Sequence, residues 1–251
     1  MFRSFVLFTI ITGCTQLNPT AKGDGDQMDH SLFTKVLQRV VRVDGMVDYQ
    51  QLKDNPDDLL VYLKALSSNL PSESDPVKVK MAYWINVYNA YTLKLIIDHY
   101  PVQSIKDIGA TLQIPLINTP WDIELIPAGD ESLTLNDVEH RILRKMEDPR
   151  IHFAINCASI SCPVLRREAY TLVQLDRQLN EQAKLFLNDG KRNTISQDHL
   201  RLSPIFKWFG SDFESGKAFR QQIADWSGME IAPNAEIDYL DYDWGLNDKI
   251  K

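Results

Sequence analysis

Apolar residues recur at helical spacing over residues 30–43, where Leu32, Phe33, Val36, Leu37, Val40 and Val41 fall on one face. Asp44-Gly45 closes that segment, residues 46–49 read as a short strand, and a second helix is predicted over residues 56–67. A loop follows at residues 71–76, bounded by Pro71 and Pro76. Residues 77–100 differ in kind. From Met81 to Ile97 almost no polar face is left, which predicts a helix enclosed on all sides and stopped by Pro101. Asn86 and Asn89 interrupt it three residues apart, hence on one face.

Further on the pattern becomes mixed. Residues 108–126 combine apolar side chains with Pro115, Pro120 and Trp121 and predict an irregular or strand-containing excursion. Thr134, with Asp137 three residues on, makes a weak capping box for a helix reaching Met146, and Asp148-Pro149 breaks it. Residues 151–156 predict a buried strand, and the small residues of 156–163 predict a loop. An amphipathic helix is expected over 172–187, a hairpin around the turn at Gln197-Asp198, helices over 206–209 and 218–226, and a last strand over 237–244. Helices outnumber strands and do not alternate with them in a Rossmann rhythm. The predicted fold class is α+β: a single, mainly helical domain over residues 30–248, packed around a small sheet.

The N-terminus stands apart. Arg3 precedes a short apolar run, and Ile11-Thr12-Gly13-Cys14 resembles the processing site of bacterial lipoproteins, in which the cysteine is lipidated and becomes the first residue. About ten apolar residues are too few to span a hydrocarbon core, which needs ~20 in a helix. The polar, breaker-rich stretch after Cys14 reads as a tether. The expected organisation is therefore a signal peptide at 1–13, a tether at 14–29 and the globular domain at 30–248, held to the membrane by lipid on Cys14. Thr15, where sorted lipoproteins retained at the inner membrane carry Asp, implies an outer-membrane lipoprotein facing the periplasm.

Apolar content of 44% and charged content of 24% are those of an ordinary globular protein, and 251 residues can bury a core without a metal or disulfide staple. A net charge of −7, with only short basic groupings, disfavours nucleic acid, whose phosphates call for clustered Lys and Arg. No cofactor or metal is expected, because no second Cys/His pair completes a tetrahedral set around Cys157 and Cys162. An envelope glycan, peptide or protein is the kind of partner left.

Several segments in order resemble one family. They are Ala82-Tyr83-Trp84-Ile85-Asn86-Val87-Tyr88-Asn89-Ala90, Tyr100-Pro101-Val102, Leu135-Asn136-Asp137-Val138-Glu139-His140, the run from Asp148-Pro149-Arg150 through Asn156-Cys157-Ala158-Ser159 to Ser161-Cys162-Pro163, Phe206-Lys207-Trp208-Phe209, and Tyr242-Asp243-Trp244. In order and spacing they look like the family catalogued as domain of unknown function 547. That resemblance implies secreted or lipoprotein bacterial members and carries no settled activity.

Cys157 opens the small-residue loop, a placement that can present a thiol to a cleft. It is a nucleophile if its pKa falls from ~8.5 through a nearby cation or helix N-terminus, and otherwise a buried core thiol or half of a disulfide with Cys162. His152 is a candidate base, but in a strand residues five apart point to opposite faces. His140 arrives from another helix, with Arg144 one turn on and Glu139 beside it in sequence. The catalytic candidates are thus Cys157, His140, His152 and Glu139, set against a reading in which Glu139, His140 and Arg144 only hold a helix in place. Asn86, Tyr88, Asn89 and Arg144 are the ligand-binding candidates, although buried amides more often tie down backbone. The functional expectation is an envelope lipoprotein serving as a binding or accessory module. The alternative is a cysteine-dependent hydrolase or acyltransferase of papain or transglutaminase style, using Cys157 with His140 or His152.

Overall fold

A computed structural model describes residues 28–109 and 119–249. Cys14, the leader, and most of the tether lie outside the described residues, as does part of the excursion at 108–126. Helix α1 (Ser31–Val40) buries Phe33, Val36, Leu37 and Val40, the predicted stripe. At the turn after it Gly45 has φ 82°, and a Cβ there would stand 2.4 Å from Val164 Cγ1, so both the left-handed backbone and the close approach demand glycine. The expected strand at 46–49 is reduced to Val47, which bridges to Val41 and Asp248. The side chain of Asp48 accepts from Gln51 N and starts helix α2 (Tyr49–Asp54) instead. Helix α3 (Asp57–Ser68) packs on α1 and turns Leu59, Tyr62, Leu63 and Leu66 inward.

Helix α4 (Val77–His99) runs through the middle. Everything from Met81 to Leu93 is buried on every side, as its lack of a polar face requires. A hairpin of β1 (Ile126–Ala128) and β2 (Glu131–Leu133) leads to the segment capped by Thr134, whose hydroxyl accepts from Asp137 N at 3.0 Å. That segment is π-helical over Asp137–Leu143, then 3-10 to Met146, and lies against α4. Single π turns concentrate at functional sites.

Residues 151–156 correct the expectation of a strand. Helix α5 (Ile151–Ala154) is one turn, begun by Ile151 N and His152 N donating to the carbonyls of Asp148 and Pro149, and the chain turns extended at Ile155. All four of its side chains are buried, so no polar face marked the helical period. Ile151 and Ala154 join the core built on α1, α3 and α4, while Phe153 enters a second, aromatic core with Phe186, Phe206, Phe213 and Phe219. Helix α6 (Leu175–Leu187), α7 (Ile205–Trp208) and α8 (Gly216–Ser227) enclose that second core.

The predicted hairpin is present as β3 (Thr194–Ile195) and β4 (His199–Leu202), and β5 (Glu236–Tyr239) adds to it in parallel with Leu200 opposite Ile237. The last strand ends at Tyr239, and residues 240–248 continue as non-repetitive backbone along the loop that holds Cys157. The architecture is the expected α+β single domain, mainly helical, with two small sheets. Among the described residues no helix is long and apolar enough to cross a membrane.

Candidate functional site

The loop at 155–163 has almost no regular backbone pairing, and buried side chains supply it. Asn89 donates from Nδ2 to Ala154 O at 3.0 Å and accepts from Asn156 N at 2.9 Å. Asn156 donates to Pro163 O at 2.7 Å and accepts from Ala158 N at 2.9 Å. Gln182 donates to Phe153 O and Val164 O. The buried Arg192, paired with Asp189, donates to Cys162 O at 2.6 Å and Ile160 O at 2.7 Å. From the C-terminal segment, Gly245 O accepts from Ile160 N and Asn247 N donates to Ala158 O. Ala158 is held at φ 59°, in the left-handed region and directly after Cys157.

This scaffold sets Cys157 on a cavity of about 180 Å³ whose wall includes Tyr88, Glu139, His140, His152, Trp208 and Tyr242. Cys157 is half-buried and Cys162, behind it, is buried; both are free thiols. Cys157 Sγ lies 2.9 Å from Cys162 Sγ, 3.2 Å from Ser159 Oγ and 3.3 Å from Tyr242 OH. The Cys162 S–H, helped by the Ser159 and Tyr242 hydroxyls and opposed by burial, draws the Cys157 thiol down to about 7. Burial, then the neighbouring Cys157, pushes the Cys162 thiol well up. Burial raises Tyr242 as well, so its hydroxyl remains a donor at neutral pH.

Opposite the thiol stands the π turn. Its i→i+5 register narrows the rotation between adjacent side chains, and Glu139 and His140 both reach the cavity wall. Burial pushes the Glu139 carboxyl up to about 7, with the charge of Cys157 adding to the shift and a hydrogen bond with Tyr88 opposing it. His140 Nδ1 accepts from Arg144 Nη1 at 3.1 Å. Burial and that guanidinium lower its pKa, so the ring is neutral with its proton on Nε2.

His152 does not serve Cys157 as the sequence suggested. Its Nε2–H donates to Asp212 Oδ2 at 2.8 Å, its ring stacks on Phe209 at 4.1 Å, and its Nδ1 lies 4.0 Å from Glu139 Oε1. Asp212 is gripped by Arg144 at 2.5 and 2.6 Å, which holds its carboxyl far below the usual range. Asp212 favours a charged imidazole while burial opposes it. Burial wins, at about 4, because Arg144 already neutralises the carboxylate.

Four catalytic candidates, Glu139, His140, His152 and Cys157, therefore share one cavity, and Tyr88 joins them. Asn86 and Asn89 are not on its wall. Asn86 donates to Tyr170 O and accepts from Tyr170 N, so both asparagines are committed to backbone, as the structural reading of buried amides anticipated. Arg144 acts behind the wall, on Asp212 and His140. Among the described residues no three His, Cys, Asp or Glu side chains are arranged to hold a metal ion. Sequence reasoning missed Ser159, Asp212 and Tyr242. Tyr242 stood in a recognisable motif beside Trp244, whereas nothing in the sequence near Asp212 singled it out.

The model of the family described as "Protein of unknown function, DUF547" matches residues 73–187, which supports the family resemblance and includes α4, the π turn and the Cys157 loop. The aromatic wall at 208 and 242–244 lies beyond the match. Comparison with curated proteins and with solved structures finds no match.

Proposed function

Taking the family match as premise, we propose that the chain is a lipid-anchored envelope protein whose domain is a cysteine-dependent hydrolase or acyltransferase, with Cys157 as its nucleophile. The observation that carries the catalytic reading is the convergence of Cys157, from its loop, with Glu139 and His140, from the π turn, on one aromatic-walled cavity. Cys157 and Glu139 both lie near 7, and each discourages charge on the other, so a thiolate facing a protonated carboxyl is a natural state at neutral pH.

In the proposed reaction the Cys157 thiolate attacks a substrate carbonyl and a tetrahedral oxyanion forms. The Cys157 and Ala158 N–H groups already donate to Cys162 Sγ and Asn156 Oδ1, so the oxyanion takes its donor from Tyr242 OH or His140 Nε2–H. Glu139 gives its proton to the leaving group, and its carboxylate then draws a proton from the water or acceptor nucleophile that cleaves the thioester. The leader motif at 11–14 supports lipidation of Cys14 and a periplasm-facing outer-membrane position, with an envelope glycan, peptide or protein as the source of the acyl group.

A chromogenic activated ester tests the chemistry. Wild-type protein should form a covalent acyl adduct on Cys157 with a burst of leaving group, at a rate rising through a midpoint near pH 7. Cys157→Ser should lose it at least ~10³-fold, the scale of removing a nucleophile. Labelling no faster than that of a denatured thiol would sink the reading. Incorporation of labelled palmitate, abolished in Cys14→Ser, tests the anchor, and its absence in wild type overturns that part. A binding-only module is favoured by one observation: the hydrogen-bond partners of Cys157 Sγ are Cys162, Ser159 and Tyr242 rather than an imidazole.

A further inference from the structure

Cys162 has no task in acyl transfer beyond its contact with Cys157, yet its position is unusually committed. The two sulfurs stand 2.9 Å apart, between a covalent bond of about 2.05 Å and the separation of sulfurs that merely touch. They belong to one short loop whose backbone is clamped on both sides, by Asn89 and Asn156 at its start and by Arg192 at Cys162 O. The pair is also asymmetric. Both sulfurs border the cavity, but Cys157 is half-buried, while Cys162 is 3% exposed and the less accessible of the two. The Cys157 N–H donates to Cys162 Sγ at 2.9 Å, a contact that favours negative charge on the inner sulfur when it must attack or leave.

We propose that Cys157 and Cys162 form a dithiol–disulfide couple that exchanges with a disulfide-bearing substrate, Cys157 being the entry thiol and Cys162 the resolving one. The Cys157 thiolate attacks one sulfur of the substrate disulfide, forms a mixed disulfide and expels a first thiolate. Cys162 gives up its proton to that thiolate and attacks the Cys157 sulfur. The internal disulfide forms, and the substrate's second sulfur leaves as a thiolate, which takes the proton lost by Cys157. Two protein thiols are oxidised, one disulfide is reduced to two thiols, and no further oxidant is needed. The reaction requires only the two sulfurs and does not rest on the acyl-transfer reading, although the oxidised pair would have no nucleophile left for it.

The full chain is equilibrated with mixtures of oxidised and reduced glutathione, quenched by alkylation and digested with trypsin, which leaves both cysteines on the peptide 151–166. In wild type this peptide should lose both alkylation adducts together as the oxidised fraction rises, with an internal disulfide. Cys162→Ser should stop at a glutathione adduct on Cys157, and Cys157→Ser should form neither. Cys162→Ala, checked for an unchanged thermal midpoint, guards against a folding artefact of the serine. Two results overturn the proposal: a glutathione adduct on Cys157 that persists in wild type, or no oxidation of the peptide at any ratio. Ester acylation of Cys157 in Cys162→Ala is read separately, so failure of the couple and failure of the acyl-transfer reading remain distinguishable.

Discussion

Helix α4 and the loop at 155–163 are both enclosed in the protein, and they are held by opposite means. The helix satisfies its own backbone, so its side chains are free to be apolar from Met81 to Leu93 apart from Asn86, Asn89 and Thr92. The loop satisfies little of its backbone and takes partners from elsewhere: Asn89 on α4, Gln182 on α6, Arg192, and the non-repetitive stretch near Gly245. A regular element can be stable in isolation from chemistry. An irregular one held by donors at fixed positions can place a thiol in a cavity with its neighbours chosen one by one. The two asparagines of α4 are where these strategies meet.

Breaking the loop's outer clamp should have the largest effect. Arg192→Ala leaves Cys162 O, Ile160 O and Asp189 without their buried cation, and urea unfolding should register a loss of about 3–5 kcal/mol. A loss below ~1 kcal/mol would mean water replaces the guanidinium and the loop needs no clamp.

The sharper contrast is between two substitutions on one helix. Leu93→Ala removes core volume at a cost of about 2–5 kcal/mol, and Asn89→Ala strands Ala154 O and Asn156 N at about 2–3 kcal/mol. Their stabilities overlap, but only Asn89→Ala should move the pH midpoint of Cys157 alkylation away from about 7 toward that of an ordinary thiol. Equal midpoints in the two variants would show that the loop keeps its shape without α4.

The smallest effect is acid sensitivity. Burial holds His30 and His152 at about 4 in the folded protein, below the ~6.5 of an unfolded chain. The unfolded state therefore binds more protons between those values, so their contribution is complete above about 6.5 and is lost progressively as pH falls to about 4. His152→Gln should flatten part of that slope in denaturation measured at successive pH values, and an unchanged slope would place the effect elsewhere.

The long helices were legible because their spacing reports the core directly: α1, α3, α4 and α6 lie where apolar periodicity put them. Residues 151–154 were not, since a one-turn helix buried all round looks like a buried strand. The site was partly legible. Glu139, His140, His152 and Cys157 announce themselves by type, yet what His152 and Cys157 touch is set by Asp212 and Tyr242, 55 or more residues further on from Cys157. No local pattern encodes such a pairing. The π register that brings Glu139 and His140 to one wall was equally invisible, because apolar spacing over two turns does not distinguish it from an α-helix.

Residues 242–248 tie the end of the domain to its beginning. Besides lining the cavity with Tyr242 and Trp244, they reach back to the beginning of the domain, where Tyr49 OH donates to Asn247 Oδ1 and Tyr100 OH to Asp248 Oδ2, each at 2.6 Å. Chains are made from the N-terminus, and these contacts span up to 198 positions. While synthesis is under way, Cys157 therefore has no Tyr242 beside it and no completed pocket. On the catalytic reading proposed above, the pocket this chemistry needs is complete only once the final segment has docked, so a nascent polypeptide would be spared its own nucleophile.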